Sequence, residues 1–320
     1  MNRTSRLSRR AAAISVAALL TFTAAACDGG EDSGSAAPKD KESAAAGIPD
    51  ASDIVVAVAP DSALTETLPG DVKSKGSLTI GSYVGSPPNN FYGPDNKTPV
   101  GFEVDLITAI GNRLGLKVEY KDMAFDSVIT SLQTGRVDTT ISEMNDTKER
   151  QAKIDFIDYF QSGISIMIQK GNPKGITTTD DLCGKKVVVV TGTTQEEFAK
   201  QQSTACTDDG NDPLEITATD SLPQNQTQLQ IGRVDALLAD LAAAAYTAQT
   251  AGGGKLFEVV DQEPISGAPY GIGVAKKNTE LRDALQASLQ SLIDDGTYTK
   301  IMDTWDVTSG AVEQATINGG

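Results

Sequence analysis

The sequence predicts an α/β protein whose sheets are mainly parallel. Short apolar segments of strand length alternate along most of the chain with segments of helical periodicity. Residues 186–190 are almost entirely valine, which favours a strand, whereas Leu285, Leu289 and Ile293 recur every four residues, which is typical of one helix face. Strands that alternate with helices pair in parallel, because each helix carries the chain back across the sheet.

The predicted elements follow in order from residue 53. Strands are predicted at residues 78–81, 118–120, 137–141, 186–190, 236–240 and 271–275. Helices are predicted at residues 101–114, 125–132, 241–249 and 281–293 and from Gln195 onward, and residues 142–150 are expected to form a loop. Residues 54–59 are ambiguous, and one interpretation is an added edge strand braced by a helix over residues 61–68.

The first 27 residues have the pattern of a lipoprotein signal peptide. Residues 1–10 carry four arginines and no acidic residue, residues 11–20 form an apolar core, and small residues precede Cys27. The apolar core is too short to span a bilayer. The segment before Cys27 looks like a lipobox, after which the cysteine becomes a lipidated N-terminus, although Ala24 stands where leucine is usual. Arg9 and Arg10 leave twin-arginine export open beside the general secretory route.

Residues 28–52 are predicted to form a disordered tether. They are rich in Asp, Glu, Ser, Gly, Ala and Lys and lack apolar periodicity. Removal of the signal peptide takes away four positive charges and changes the formal net charge from −16 to −20. Such an acidic chain is expected to repel nucleic acid, so nucleic acid is not expected as a partner.

Two cysteines, Cys183 and Cys206, remain after processing in a chain that is expected to be exported. An even pair in an oxidising compartment favours a disulfide, which would stabilise the fold by about 3 kcal/mol. Two buried free thiols are the alternative. The chain has no histidine, which removes the commonest metal ligand and every histidine-based triad. Neither a metal site nor a cofactor is expected.

Several motifs between residues 76 and 307 occur in the order typical of one protein family. They are Gly101-Phe102-Glu103-Val104-Asp105-Leu106, Phe125-Asp126-Ser127-Val128-Ile129, Thr147-Lys148-Glu149-Arg150, Ile154-Asp155-Phe156 and the closing segment from Gly296 to Trp305. In these motifs the chain resembles family 3 of the bacterial extracellular solute-binding proteins, the amino-acid receptors of ABC importers.

The resemblance implies a two-lobed periplasmic-binding-protein (Venus-flytrap) fold, in which each lobe is a mainly parallel sheet flanked by helices. The expected organisation is an N-terminal extension at residues 53–75, lobe 1 at 76–163 and 270–310, lobe 2 at 164–269 and a C-terminal tail at 311–320. The chain is expected to cross between the lobes near residues 162–166 and again near residues 268–270.

A free amino acid carries a carboxylate and an ammonium group, so its receptor needs a fixed cation and a fixed anion. Arg150 is the candidate cation, because it falls in a family motif and a guanidinium binds a carboxylate through two parallel N–H donors. Asp240 is the candidate anion, at a strand end where ligands meet open α/β sheets. Asp240 is also placed to cap the next helix, and both roles can hold at once.

Further residues are expected around the same cleft. Thr193 and Thr194 lie between a strand and a helix, where free N–H groups favour an anion, although a plain capping turn has the same sequence. Phe125 is expected to be the wall on which the aliphatic part of the ligand stacks. The loop after the first strand lines the cleft in the family, and its candidates here are Tyr83, Ser86, Asn89 and Asn90.

Some positions depart from the family pattern. Glu143 stands where relatives have glycine or serine, and Asn145 replaces a hydroxyl residue that helps to hold the ligand carboxylate. The amide of Asn145 can still donate to a carboxylate. Glu143 either faces the cleft and selects a cationic side chain or points to solvent. Val190 and Ala239 replace charged or imidazole side chains of some relatives, so side-chain selectivity cannot be copied from them.

The resemblance implies an extracytoplasmic lipoprotein that is anchored to the outer face of the cell membrane. As a monomer, it would capture a polar amino acid or a related amine and deliver it to an ABC permease powered by an ATPase. Two other classes stay open. One is an enzyme like the cyclohexadienyl dehydratases, with Glu143 as the only candidate acid or base. The other is a sensory binding protein that signals through a partner.

Overall fold

The computed structural model describes residues 47–320. The helices in this part of the chain are α1 (Ser52–Val56), α2 (Ser62–Glu66), α3 (Gly70–Lys75), α4 (Phe102–Arg113), α5 (Val128–Gln133), α6 (Lys148–Gln151), α7 (Thr194–Asp208), α8 (Leu222–Gln230), α9 (Leu241–Thr250), α10 (Thr279–Asp294) and α11 (Thr297–Thr304). The strands are β1 (Ser77–Ser82), β2 (Phe91–Tyr92), β3 (Pro99–Val100), β4 (Lys117–Asp122), β5 (Thr139–Thr140), β6 (Asp155–Gln169), β7 (Lys186–Val190), β8 (Glu215–Thr219), β9 (Ala236–Asp240), β10 (Phe257–Val259) and β11 (Ile265–Val274).

The strands form two groups that two long strands connect. In lobe 1, β1 pairs in parallel with β4 and β5. In lobe 2, β7 pairs in parallel with β8 and β9. β6 and β11 run antiparallel to each other, while β11 also pairs with β5, and β6 also pairs with β9 and β10. The predicted α/β class and the two-lobed, mainly parallel architecture are therefore confirmed.

Each lobe has its own apolar core, and a third apolar cluster lies between the lobes. The first core surrounds α4, α10 and α11, and the core of lobe 2 surrounds β7 and β9. The third cluster brings Tyr83 and Phe125 of lobe 1 together with Leu222 and Ala243 of lobe 2. The two lobes are thus in contact, and side chains of both can reach one shared ligand.

The N-terminal extension is helical, so the interpretation of residues 54–59 as an edge strand is wrong. Val55 is the buried residue of α1, and Ala51 and Val58, which flank the helix, are buried as well. Helix α1 packs on α4, where the amide of Asn112 donates a hydrogen bond to the Val55 carbonyl at 3.0 Å. A helix inside residues 61–68 is confirmed: Asp61 accepts the N–H of the second residue of α2.

The predicted loop at residues 142–150 contains a short helix. Helix α6 follows Thr147, whose hydroxyl accepts a hydrogen bond from the N–H of Arg150 at 3.3 Å. Its four residues form about one turn, which is too short to produce a hydrophobic period in the sequence. The capped turn fixes the position of Arg150 relative to the preceding loop.

The structure contains a disulfide between Cys183 and Cys206, as predicted, with the two Cα atoms 5.6 Å apart. Cys183 follows a single turn of 3-10 helix at Asp180–Leu182, and Cys206 lies in the last turn of α7. At the other end of the chain, residues 311–320 lie along β6, where Ala311 bridges Phe160 and Ile317 bridges Ile157.

The predicted signal peptide, Cys27 and residues 28–46 of the predicted tether lie outside the described residues. Among residues 47–320, no helix has both the length and the apolar character needed to cross a membrane.

Candidate functional site

A cavity lies between the lobes. It is lined by most of the residues predicted from the sequence to bind the ligand: Tyr83, Ser86, Phe125, Glu143, Asn145, Arg150, Thr193, Thr194 and Asp240. Asn89 and Asn90 do not line it, and their amides donate hydrogen bonds to Glu143 and Glu103 instead. The other lining residues are Val190, Gln195, Leu222, Leu238, Ala239 and Ala243. Sequence reasoning therefore missed one polar residue, Gln195, and part of the apolar surface.

Arg150 is the buried cation of this cavity, with 7% of its surface exposed. Its Nη1 donates to the Asn145 carbonyl at 3.0 Å, and its Nη2 donates to the Gly192 carbonyl at 3.1 Å. The guanidinium carbon lies 5.4 Å from the centroid of the Phe125 ring, within the range of a cation–π interaction. These contacts fix the guanidinium plane and use two of its five N–H groups, so further donors remain for an anion.

Asp240 is the anion that the structure places on the lobe 2 side. It occupies the residue before α9, but its side chain makes no capping hydrogen bond. Its carboxylate instead accepts a hydrogen bond from Nε2 of Gln195 at 2.7 Å and from the hydroxyl of Ser162 at 3.4 Å. The two roles considered for Asp240 are thus separated, because the side chain is directed into the cavity and does not cap the helix.

Glu143 also faces the cavity. Its backbone is left-handed, with φ 44°, a conformation that is uncommon for residues other than glycine. Its Oε2 accepts a hydrogen bond from the Ser86 hydroxyl at 2.7 Å and another from the amide of Asn89. Of the two orientations left open by the sequence, the structure has the one in which Glu143 points into the cleft.

Glu103 holds the backbone of Glu143 through a hydrogen bond. This role was not predicted from the sequence. Glu103 is fully buried in the first turn of α4, and its Oε1 accepts the backbone N–H of Glu143 at 2.6 Å. The hydroxyl of Tyr159 and the amide of Asn90 donate to the same carboxylate. Asn90 therefore holds Glu103, which in turn holds the left-handed backbone of Glu143. Acidic residues are common in the first turn of a helix. Nothing in the sequence therefore indicates that Glu103 holds another residue of the site.

The carboxyl groups of Glu103, Glu143 and Asp240 lie in the same region as the guanidinium of Arg150, and the pKa values of all three are raised. Burial raises the pKa of Glu103 to about 7 and that of Asp240 to about 6. Burial also raises the pKa of Glu143 well above its usual range, and the negative charges of Asp240 and Glu103 raise it further. The cavity therefore favours a cation, because a positive charge relieves the repulsion among these groups.

The first turn of α7 supplies polar groups from lobe 2. The hydroxyl of Thr193 donates to the Val190 carbonyl at 2.6 Å and accepts the N–H of Glu196 at 3.2 Å, so its side chain caps the helix. The hydroxyl of Thr194 instead donates to Oδ1 of Asn145 at 2.9 Å. Thr194 and Gln195 are thus the residues of this turn whose side chains contact other polar groups of the site.

Hydrogen bonds cross from lobe 1 to lobe 2 at the cavity. They join Arg150 to the Gly192 carbonyl, Thr194 to Asn145, and the N–H of Leu222 to the hydroxyl of Tyr83 at 2.8 Å. The lobes therefore adopt a closed arrangement in which both contribute to one polar site. Within residues 47–320, no group of three or more acidic, cysteine or histidine side chains is placed to hold a metal ion.

The sequence matches the profile of the bacterial extracellular solute-binding proteins, family 3, over residues 78–308. The chain is 32% identical over 247 residues to the L-cystine-binding protein TcyJ of Escherichia coli K12, an alignment that covers 76% of this chain and 88% of TcyJ. It is 29% identical over 315 residues to the arginine-binding protein ArgT of Corynebacterium glutamicum, which covers 98% of this chain and 97% of ArgT.

The fold is also similar to that of solved structures. An ancestral arginine-binding protein bound to arginine superposes with a TM-score of 0.65 and 38% sequence identity, covering 72% of this chain and 98% of the other. The match includes nearly the whole of that protein, so the similarity extends over both lobes.

Proposed function

The chain belongs to family 3 of the bacterial extracellular solute-binding proteins, the amino-acid-binding proteins of ABC importers, and we propose that its ligand is a basic amino acid. A zwitterionic amino acid brings one negative and one positive group. A basic amino acid brings a second positive group, and this site offers a second carboxyl group to meet it.

The observation that carries the proposal is the arrangement of Glu143 and Asp240 around the same cavity as Arg150. A neutral amino acid would pair with one cation and one anion and leave the other carboxyl group beside an uncharged side chain. The presence of two carboxyl groups in one cavity favours a ligand with two positive charges, because each ammonium or guanidinium stabilises the ionised form of one of them.

Each group has a distinct role in this proposal. Arg150 binds the α-carboxylate through its remaining N–H donors, with help from the Thr194 hydroxyl. Asp240 binds the α-ammonium group. Glu143 binds the positive end of the side chain, and Phe125 packs beside it. The arginine-binding relatives named above support this choice of ligand class, whereas TcyJ is named for a neutral amino acid.

The position of these residues on two lobes also accounts for how ligand binding closes the protein. Because Arg150 lies on lobe 1 and Asp240 and Thr194 lie on lobe 2, the ligand adds contacts that exist only when the lobes are closed, and it shifts the population toward that form. The closed receptor is then recognised by a membrane permease whose ATPase drives import.

The protein is extracytoplasmic by its family, and lipid anchoring is the further proposal. It rests on the small residues before Cys27 and on the polar segment that follows. In this proposal the receptor acts as a monomer held to the outer face of the cell membrane. Cys27→Ala should release the protein from the membrane fraction into the medium, and a variant that stays membrane-bound would contradict the anchor.

A second function is favoured by one observation, the raised pKa of Glu143, which is what an acid–base residue of a cyclohexadienyl-dehydratase-like enzyme would need. The relatives named above are binding proteins, and burial beside two other carboxyl groups already accounts for the shift. We therefore place the binding function first. Incubation with a cyclohexadienyl substrate, followed by the absorbance of the aromatic product, tests the enzyme directly.

A thermal-shift screen tests the proposed ligand class. A ligand that binds only the folded chain, added at 100 times its dissociation constant, increases the free energy of unfolding by about 2.7 kcal/mol. Arginine, lysine and ornithine should raise the melting temperature, and glutamine and cystine should raise it less at the same concentration. A larger shift with a neutral amino acid would contradict the proposal.

A further inference from the structure

An acidic pair, Asp146 and Asp158, lies outside the ligand cavity. Asp146 belongs to the loop at residues 141–147, the binding loop, which also contains Asn145. Asp146 directly follows Asn145 and is fully buried, and Asp158 lies on β6 with 3% of its surface exposed. Oδ2 of Asp146 accepts the N–H of Gly320 at 3.1 Å, and Oδ2 of Asp158 accepts the N–H of Gly319 at 3.0 Å. The Oδ1 atom of each side chain is also buried and has no hydrogen-bond donor among the described residues.

The N–H groups of the consecutive residues Gly319 and Gly320 bind one oxygen of each carboxyl group, so the two carboxyl groups lie side by side. Two ionised carboxylates have no proton to donate, and at this burial they repel each other strongly. A single proton between them supplies the missing donor and removes one of the two charges. Burial is the main reason that the pKa of Asp158 is raised to about 7, and the charge of Asp146 adds to the shift.

The pair is placed where it can hold the binding loop. The N–H of Asp146 donates to the Pro269 carbonyl on β11 at 2.8 Å, and the N–H of Asp158 donates to the Thr316 carbonyl at 2.8 Å. Asp146 lies between Asn145, which contacts Thr194, and the turn that carries Arg150. A bond between the two carboxyl groups therefore ties this loop to β6 and to residues 311–320.

We propose that a protonated Asp158 donates a hydrogen bond to Asp146 and that this carboxyl–carboxylate hydrogen bond positions the loop that carries Asn145 and Arg150. Both are positioning residues, since neither lines the cavity. The charged side chains that act on Asp158 are Asp146, from the loop, and Lys148, from α6, which opposes the shift. The contacts from β11 and from residues 316–320 are made by backbone groups.

The sign of the pH dependence follows from the direction of the pKa shift. Asp158 holds its proton more tightly in the folded chain than in the unfolded chain, so folding takes up a proton between the ordinary pKa of 3.8 and about 7. The contribution of the pair to the free energy of unfolding falls as the pH rises through this window, and it is constant above it. An asparagine at position 158 has an N–H donor for Asp146 at every pH, so this hydrogen bond does not depend on protonation.

The experiment compares wild type and Asp158→Asn between pH 5 and pH 8.5. Their melting temperatures should agree at pH 5, and the variant should melt at least about 3 °C above wild type at pH 8. Over the same pH range, the affinity of the variant for arginine should rise relative to that of wild type. The melting temperature needs no ligand, so it tests the carboxyl–carboxylate hydrogen bond even if arginine is not the ligand.

Two further variants complete the test. Asp146→Asn should change the pH profile in the same direction and serves if Asp158→Asn does not fold. Asp303→Asn, at an exposed position on α11, is the control and should follow wild type. Parallel pH profiles for wild type and both pair variants would overturn the proposal. So would a calcium-dependent rise in melting temperature that the pair variants abolish, because it would show that the pair holds a metal cation.

Discussion

The hydroxyl of Tyr83 in lobe 1 accepts a hydrogen bond from the backbone N–H of Leu222 in lobe 2, at 2.8 Å. Leu222 begins α8 and both residues line the cavity. The bond exists only while the lobes are in contact, so it stabilises the closed form selectively. Together with the contacts of Arg150 and Thr194, it shows that closure has polar as well as apolar contributions.

Tyr83→Phe should therefore weaken ligand binding without unfolding either lobe. In the closed form the Leu222 N–H would be left buried and unpaired, which costs about 1–3 kcal/mol, or roughly 5- to 150-fold in affinity. Calorimetry measures the loss. Tyr92→Phe is the matched control, since the Tyr92 hydroxyl donates to Asp122 within lobe 1. Equal affinities for the Tyr83 variant and wild type would mean that this bond does not contribute to closure.

Glu143→Gln should separate basic from neutral ligands. Removal of one partner of a desolvated charge pair costs about 2–5 kcal/mol, so the affinity for arginine should fall by roughly thirty-fold or more. The affinity for a neutral amino acid should change by less than about threefold, because the glutamine can still accept the hydrogen bonds of Ser86 and Asn89. Glu119→Gln on β4 is the exposed control. Similar losses for both ligand classes would remove Glu143 from side-chain recognition.

The fold could be predicted from the sequence to a large extent because its strongest signals are local. The valine-rich strand β7 and the apolar stripe of α10 are visible in the chain itself. Helix α1 was not predicted, because it has only five residues and its few apolar residues fit a strand as well as a helix. Its helical form depends on packing against α4, which is a tertiary contact.

The candidate site could likewise be predicted only in part. Arg150, Asp240 and Glu143 could be nominated from motif positions and from the chemistry of an amino acid. Glu103 and Gln195 could not, because their roles arise from side chains that meet only in the folded chain. Gln195 holds Asp240 from the first turn of α7, and nothing in its sequence neighbours distinguishes it from a solvent-facing glutamine.

The pH dependence of binding should follow the acidic groups of the cavity. Burial raises the pKa of Asp240 to about 6, so below this pH a cationic ligand must displace a proton from the site. The affinity for arginine should be lower at pH 5 than at pH 7.5, by up to about tenfold per pH unit for each proton released. Calorimetry in two buffers with different ionisation enthalpies counts these protons. An affinity that is independent of both pH and buffer would contradict the charge arrangement.

The disulfide should contribute to stability and not to recognition. Replacement of Cys183 and Cys206 by serine should lower the free energy of unfolding by about 3 kcal/mol on the chain-entropy model. Arginine affinity should hold within about twofold, because Cys206 lies twelve residues after Thr194 in α7, about 18 Å along the helix axis. Denaturant unfolding and calorimetry on the same samples measure both quantities. A large loss of affinity would show that the bond positions the ligand-binding end of α7.

Calorimetric titration of Arg150→Ala, Arg150→Lys and Asp240→Asn with arginine tests most directly whether Arg150 and Asp240 hold the two ends of one amino acid. Each variant should remain folded by far-UV circular dichroism and lose at least about thirty-fold in affinity, since each leaves a buried charge unpaired or removes the paired donors of the guanidinium. An Arg150→Ala variant that binds arginine within about threefold of wild type, well short of the expected loss, would show that the carboxylate is held elsewhere.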